Sequence, residues 1–434
     1  MFRSISKAMP ECIKKVRRSL RDKKAKNAYN YSVRKEALKA KRHYVSVVEN
    51  IKKRGGRIRV AAYVVYAASY AFDSIFRLML NDEEHWEATI VIIPDTLRGH
   101  ENQLKTYLQT RVFFVEKYGK EKVIDGWDIN KNIYIDCLNQ FDVIYYANPY
   151  DIIVNKYHKI EYAMDKNVLP IYISYGYDIG SITTKDRLKG RELNLVWKVF
   201  ADTVPTYKDY KKYQIIKGSN VVIAGYSKMD NLADCVNNTN KQRKKILITP
   251  HHTVSTEVLP LSNFLEYYEL FLKLPDMFPN VDFVFRPHPL LFVTLENEKI
   301  WDKNQIDEYI SKLLNKGVEY STEGDYIHLF SECDAIINDC GSFTVEWLFT
   351  GKPGCFMYSK RLNSDFLTTL MNRAIREYTI AETEKDIIDF VAMITNEEES
   401  RNGEMSQWVK SEVAINYPNV SKFILAQLSY ELIK

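Results

Sequence analysis

Residues Gly324–Tyr358 read GDYIHLFSECDAIINDCGSFTVEWLFTGKPGCFMY. This stretch predicts a short apolar strand at Ala335–Ile337, a polar turn at Asn338–Ser342 and a helix over about Phe343–Thr350. A second strand is predicted at Cys355–Tyr358, after the helix-stopping Gly-Lys-Pro-Gly. A strand, a helix and a further strand in this order form a βαβ unit, which places the chain among α/β proteins with parallel sheets.

The turn of this unit has the residue types of a phosphate-binding site. A helix N-terminus carries unpaired N–H groups and a partial positive charge. Gly341 permits a ligand to approach the backbone, and Ser342 is placed to cap the helix or to donate to a phosphate oxygen. Glu346, one turn further on, suits the hydroxyl groups of a ribose. An ordinary capped helix in an α/β sheet is the alternative interpretation.

The composition is that of a folded protein with room for two α/β domains. The chain has 434 residues, of which 46% are hydrophobic and 27% charged. Its six cysteines are scattered without a CxxC pair, and no signal peptide is recognised, so we expect reduced thiols in a cytoplasmic protein. No apolar run approaches the length that spans a bilayer.

The net charge of +5 conceals a strongly basic N-terminus. Residues 1–60 hold 20 Lys and Arg against 4 Asp and Glu, whereas the remainder holds 41 against 52. Residues 10–54 have a helical pattern, with a narrow apolar stripe at Ile13, Val16 and Leu20 among lysines and arginines. Such an arm suits an anionic membrane surface, which we favour, or packing on the body, or RNA. The acidic body does not resemble a general nucleic-acid binder, and we expect no nucleic-acid partner.

Apolar strands alternate with helical patterns along both halves of the chain, which predicts two parallel sheets. Residues 231–245 are polar and form the predicted linker. In the first half we predict strands at 57–66, 88–94, 141–146, 168–174 and 220–224, and helices at 69–80 and 107–118. In the second half we predict strands at 245–249 and 281–285 and helices at 263–274, 304–314, 386–394 and 420–432.

Two predicted strand ends of the second half deliver histidines. His251 and His252 follow Pro250, and His288 lies within Arg286-Pro287-His288-Pro289. Carboxyl ends of neighbouring parallel strands build ligand sites, so these side chains and Arg286 are candidates for binding a diphosphate. A metal site on the three histidines ranks low, since no Asp or Cys is spaced to complete it. The sequence contains no GxSxG elbow, P-loop or GxGxxG.

Five motifs follow one another in a recognisable order. They are GYSKMD at Gly225–Asp230, ILITPHHT at Ile246–Thr253, RPHP at Arg286–Pro289, DCGSFTVEW at Asp339–Trp347 and GKP at Gly351–Pro353. In type and order they resemble the CDP-glycerol glycerophosphotransferase family, the teichoic acid primases and polymerases. The resemblance covers the second half well and the first half by pattern alone.

The resemblance implies an α/β fold of GT-B type, with two Rossmann-like domains facing across a cleft, a basic helical N-terminal arm and a helical C-terminal tail. The implied divisions are 1–54 for the arm, 55–235 for the acceptor domain and 236–434 for the nucleotide-donor domain with its tail. The implied donor-binding residues are Arg286, Asp339, Gly341, Ser342, Phe343 and Glu346, with His288 on the diphosphate.

The acceptor side departs from the family pattern. Tyr175-Gly176 stands where the family has a His-Gly loop that is proposed to hold the general base. Tyrosine takes up no proton at neutral pH, so Asp178, His251 or His252 is the expected base.

The implied enzyme transfers glycerol phosphate or a related polyol phosphate from a CDP-activated donor to a hydroxyl of a cell-surface glycan or a teichoic or capsular polymer. A GT-B glycosyltransferase for capsule or O-antigen, and a non-catalytic binding protein, remain alternatives. We expect no metal and no cofactor besides the donor substrate, a polysaccharide or lipid-linked acceptor, and a peripheral location at the inner face of the cell membrane.

Overall fold

Two parallel β-sheets organise the protein. The computed structural model describes residues 11–235, 243–257, 259–323, 326–396 and 403–434, with residues 11–20 described by their backbone alone. The opening Gly324 and the central part of the predicted linker, 236–242, lie outside the described residues.

The first sheet has seven strands that are all parallel, in the order β3-β2-β1-β6-β7-β8-β9. Its central strands are buried on both faces, which explains why they appear in the sequence as unbroken apolar runs. The strands, including a small antiparallel hairpin of β4 and β5, are β1 Ile58–Val64, β2 Trp86–Ile92, β3 Val123–Asp125, β4 Trp127–Asp128, β5 Ile133–Tyr134, β6 Val143–Tyr146, β7 Leu169–Ile173, β8 Lys198–Ala201 and β9 Val221–Ile223.

The second sheet has six parallel strands in the order β12-β11-β10-β13-β14-β15. The expected α/β architecture of two Rossmann-like domains is therefore confirmed. The strands are β10 Lys244–Thr249, β11 Val281–Phe285, β12 Glu319–Tyr320, β13 Ala335–Asn338, β14 Gly354–Met357 and β15 Thr379–Ala381.

Helices cover both sheets. Strands β3, β4, β5, β8, β12 and β15 were not predicted, and the helix predicted at 107–118 begins seven residues earlier. The helices are α1 Glu11–Arg54, α2 Asp73–Leu80, α3 His100–Tyr118, α4 Ile160–Ala163, α5 Ser181–Lys189, α6 Arg191–Leu195, α7 Val204–Tyr213, α8 Asp230–Ala233, α9 Phe264–Met277, α10 Leu291–Asn297, α11 Lys303–Asn315, α12 Ile327–Glu332, α13 Gly341–Glu346, α14 Thr369–Ala374, α15 Glu384–Thr395 and α16 Val420–Leu432.

Helix α1 is the predicted basic helix, and its second half is part of the first domain. It packs against α6, β7 and α16, whereas residues 21–29 are exposed. The side chains of the predicted stripe at Ile13, Val16 and Leu20 lie outside the described residues. Over the described chain, no helix is both long and apolar enough to cross a membrane. The buried positions recur every three or four residues: Val33, Ala37, Ala40, Tyr44, Val47 and Ile51.

The C-terminal helix α16 returns to the first domain, although the sequence assigned the whole tail to the second. Gly225 has φ +97°, and a Cβ there would lie 2.1 Å from the Ile415 carbonyl oxygen. The carboxylate of Asp230 accepts the backbone N–H groups of Val420 (3.1 Å) and Ser421 (2.7 Å) at the start of α16. The GYSKMD motif therefore docks the tail.

Candidate functional site

Three histidine rings converge at the carboxyl edge of the second sheet. Strands β10 and β11 are parallel neighbours, so the loops that follow them lie side by side. The ring centroids of His251 and His252 are 4.4 Å apart, those of His252 and His288 4.3 Å, and those of His251 and His288 5.0 Å. We call these three residues the histidine cluster. The sequence-predicted grouping of the three side chains is thus seen in the structure.

Asp339 holds the loop that carries His251. Its carboxylate accepts the backbone N–H of His251 (2.6 Å) and that of Asn263 (2.6 Å), and the residue is fully buried. Burial raises the pKa of this carboxyl to about 7. Its oxygens are hydrogen-bonded to the backbone and screened from solvent. Asp339 therefore positions the loop and does not make the direct contact with the donor that the sequence led us to expect.

The backbone determines the tautomer of His288. The backbone N–H of His288 donates to the Pro250 carbonyl (2.9 Å), and the backbone N–H of Leu290 donates to the ring Nδ1 of His288 (3.1 Å). Because Nδ1 accepts a hydrogen bond, the single proton of the neutral ring lies on Nε2. His288 therefore presents an N–H donor, which suits a phosphate oxygen.

All three rings of the histidine cluster favour the neutral form. Burial lowers the pKa of His288 to about 4, with a smaller contribution from His252. Burial also lowers the pKa of His251 well below its usual range, helped by its two histidine neighbours, and lowers that of His252. An anion that enters the cluster would offset both causes and raise these pKa values.

The histidine cluster also has the spacing of a metal site. One ring nitrogen from each residue lies within 4.8 Å of the others. Zinc sites with three histidine ligands need a lone pair on each coordinating nitrogen. His288 cannot offer Nε2 to a cation while Nδ1 accepts the Leu290 N–H, so the observed hydrogen bonding fits an anionic oxygen better.

Arg286 is buried, and its guanidinium contacts the loop after β12 and Tyr326. It donates to the Ser321 hydroxyl (2.8 Å) and the Glu323 carbonyl, and its guanidinium lies 5.2 Å from the Tyr326 ring centroid. It is 7% exposed. Arg286 thus holds the loop after β12 and carries a positive charge on the residue that begins the RPHP motif.

Glu346 is covered by a tyrosine that the sequence did not single out. The Tyr326 hydroxyl donates to the Glu346 carboxylate, and Lys228 Nζ lies 2.8 Å from the same hydroxyl. Glu346 is 1% exposed, so the expected ribose contact requires Tyr326 to move aside. Lys228 lies within the GYSKMD motif, which was the available signal for its place here.

The predicted phosphate cradle at Gly341 is occupied by a side chain of the other domain. Helix α13 is six residues long and has no side-chain cap at Cys340. A Cβ at Gly341 would lie 2.0 Å from Cδ1 of Ile179. Glycine is needed here because Ile179 packs on the backbone, and half-buried Ser342 and Phe343 remain beside it.

The loop that carries Ile179 brings the carboxyl edges of the two sheets face to face. The Tyr226 hydroxyl donates to the Tyr175 carbonyl (2.8 Å), and the Thr368 hydroxyl donates to the Asp178 carbonyl (2.7 Å). Gly180 forms an antiparallel bridge with Leu367. The expected acceptor loop, including Gly176, therefore borders the donor half of the site.

Asp178, the candidate base in this loop, is not well placed to accept a proton. Tyr175 is 38% exposed, and a tyrosine hydroxyl is already protonated at neutral pH; desolvation by the surrounding protein raises its pKa further. The Asp178 carboxylate is paired with the buried Arg187, which also donates to Tyr172 (2.8 Å). The neutral rings of His251 and His252 are the remaining candidates.

Comparison with known proteins identifies the fold. No family profile and no curated protein sequence matches the chain. A variant of the wall teichoic acid polymerase TagF, solved with CDPG, is similar over 97% of this chain and 98% of its own, with TM-score 0.56 and 12% identity. The fold is of the GT-B type. UDP-GlcNAc 2-epimerase from Neisseria meningitidis, solved with UDP-GlcNAc, matches 86% of this chain and 99% of its own, with TM-score 0.54 and 15% identity.

A third similar structure is MnaA from S. aureus with UDP, which covers 87% of this chain and 98% of its own at TM-score 0.50 and 14% identity. The GT-B arrangement explains why α16 crosses back to the first domain and why both carboxyl edges border one cleft. At these identities the likeness concerns the fold, and the chemistry rests on the residues described above.

Proposed function

We propose that the chain transfers glycerol phosphate, or a related polyol phosphate, from a CDP-activated donor to a hydroxyl of a cell-surface glycan or a teichoic or capsular polymer. The observation that carries the proposal is the histidine cluster, with the Nε2–H of His288 available as a donor at the carboxyl edge of the donor domain. The similarity of fold to TagF, which was solved with CDPG, adds support.

The proposed chemistry is a phosphoryl transfer. The acceptor oxygen forms a bond to the β-phosphorus, and the bond between that phosphorus and the bridging oxygen breaks, so CMP leaves. His288 donates to the diphosphate, and His251 or His252 takes the proton of the acceptor hydroxyl. Arg286 adds positive charge, while Asp339 holds the loop of His251 in place.

A GT-B glycosyltransferase that uses a nucleotide sugar is the second candidate. It is supported by the likeness to the epimerase solved with UDP-GlcNAc. In both cases we propose a peripheral position at the inner face of the cell membrane, a lipid-linked or polysaccharide acceptor, and contact of the exposed basic part of α1 with anionic lipid.

The test combines donor selection with one substitution. Retention and turnover of labelled CDP-glycerol, CDP-ribitol and UDP-GlcNAc are measured for the wild type, for His288→Ala and for the control His85→Ala. His85 is exposed and remote in sequence from the cluster, so its loss should leave turnover unchanged. Removal of the His288 donor should lower turnover about 100- to 1,000-fold.

Three results would contradict the proposal. A folded His288→Ala variant with full turnover would remove His288 from the chemistry. A wild-type protein that neither retains nor turns over any of the three nucleotides would favour a binding protein, and turnover of UDP-GlcNAc alone would favour the glycosyltransferase.

A further inference from the structure

A long groove lies beneath α1, on the first domain and apart from the histidine cluster. Its volume is about 750 Å³. One wall is a single face of α1 between Arg34 and Lys52, a span of about 27 Å at 1.5 Å per residue. The opposite wall comprises residues 194–198, residues 215–217 and the edge strand β9 with the residues before it. We call this feature the α1 groove.

The interior of the α1 groove is apolar. Its floor includes the half-buried side chains of Val48, Ile216 and Val222. On the α1 wall, Leu38 is 52% exposed and Val45 is 56% exposed, one helical heptad apart. Exposed aliphatic side chains in line along a groove indicate a surface that is covered by an apolar ligand.

The margin of the α1 groove is cationic. Arg34, Lys41 and Lys52 lie along the α1 wall, and Lys217 lies on the opposite wall. Among the described residues, the acids that line the groove are Glu49 and Glu431, and Glu431 is neutralised by Lys198 at 2.7 Å. The groove therefore combines an apolar interior with an excess of positive charge at its margin.

The apolar interior and the cationic margin together indicate which kind of ligand fits the α1 groove. A second copy of the chain that docked by the same surface would bring its own lysines against these, which is unfavourable. A free anion would leave the aliphatic interior in water. An amphiphile with one alkyl chain and a phosphate satisfies both parts, because the chain fills the interior and the phosphate meets the bases.

We propose that the α1 groove binds one acyl chain of an anionic phospholipid, with the phosphate held by the bases at its margin. This site is distinct from the cleft and does not depend on the proposed transfer reaction. It gives the basic helix a specific contact with lipid, beyond general attraction to a charged surface.

The experiment measures binding of lysophosphatidylglycerol below its micelle concentration to the full chain by calorimetry. Glycerol phosphate and lysophosphatidylcholine are the comparison probes. The variants are Val45→Gln in the interior, Lys41→Glu at the margin, and Arg42→Glu as the matched control. Arg42 is exposed on α1 next to Lys41 but does not line the groove. Because both residues are basic, the two substitutions change the net charge equally, and only Lys41→Glu changes the groove.

We expect saturable binding of one lysophosphatidylglycerol per chain, weakened at least 10-fold by Val45→Gln and by Lys41→Glu and unchanged by Arg42→Glu. Because Val45 and Lys41 are exposed, both variants should fold, which circular dichroism checks. Nucleotide retention at the histidine cluster should be unaffected, which separates this site from the proposed function.

Three results would overturn the proposal. Equal weakening by Lys41→Glu and Arg42→Glu, with no effect of Val45→Gln, would leave only surface attraction. Glycerol phosphate or lysophosphatidylcholine binding as tightly as the anionic lipid would remove one half of the selectivity. A dimer in sedimentation that Val45→Gln dissociates and the lipid does not would assign the groove to a second copy.

Discussion

His288 should remain neutral well below the pH at which an exposed histidine gains its proton. Its pKa in the folded protein is about 4 because the ring is buried, compared with 6.5 for an unperturbed imidazole. The folded state therefore binds fewer protons than the unfolded state between these values. The stability contributed by neutral His288 is complete above pH 6.5 and is lost as the pH falls toward 4.

The magnitude follows from the shift. A displacement of this size lowers the free energy of unfolding by about 3 kcal/mol once the pH has fallen below both pKa values. At about pH 5 the loss is about 1–2 kcal/mol. A bound diphosphate should reverse the shift, because it favours the imidazolium. Donor binding should therefore take up protons and weaken as the pH rises through the raised pKa of the complex.

The measurement is a titration of the imidazole nitrogens by NMR in histidine-labelled protein, which has eight histidines to assign. We expect the Nε2–H tautomer for His288 and no protonation above about pH 5 without ligand. His85 serves as the internal reference, since its hydrogen bond with Asp82 raises its pKa. An ordinary pKa for His288, or a proton on Nδ1, would refute the assignment of this ring as a neutral donor.

Two glycine substitutions test the contacts that hold the domains. Gly225→Ala places a Cβ 2.1 Å from the Ile415 carbonyl and should destabilise the protein by more than about 3 kcal/mol. Gly56→Ala, also at positive φ but with nothing within 4 Å, should cost about 1–2 kcal/mol in the same unfolding assay, and equal losses would contradict the docking role. Gly341→Ala should lower the melting temperature through its clash with Ile179, and Ile179→Ala in the same chain should restore part of the loss, whereas additive losses would exclude the clash.

Elements with an apolar run or a clear helical stripe were predictable. Strand β11 and helix α16 have the predicted bounds, because a run of buried apolar side chains or a helical stripe is written in consecutive residues. Strand β8 was missed since it is four residues long and begins with a lysine. Its neighbours β7 and β9 supply the pairing that makes so short a segment a strand.

The residue types of the site were also predictable, but their roles were not. The His-rich strand ends are recognisable because prolines and histidines follow apolar runs. The cover on Glu346 comes from Tyr326, and the side chain over Gly341 comes from Ile179 in the other domain. Neither contact can be predicted from the residues that neighbour Glu346 or Gly341 in the sequence.

The sequence by itself determined the α/β class, the basic helix and the grouping of three histidines at one sheet edge. These depend on side-chain periodicity and on the rule that parallel strands end together. Only the tertiary structure decided that Asp339 supports a loop, that Asp230 docks the tail and that α1 lines a groove. A carboxylate or a helix face takes its role from whichever groups pack against it, and here those groups lie many tens of residues away along the chain.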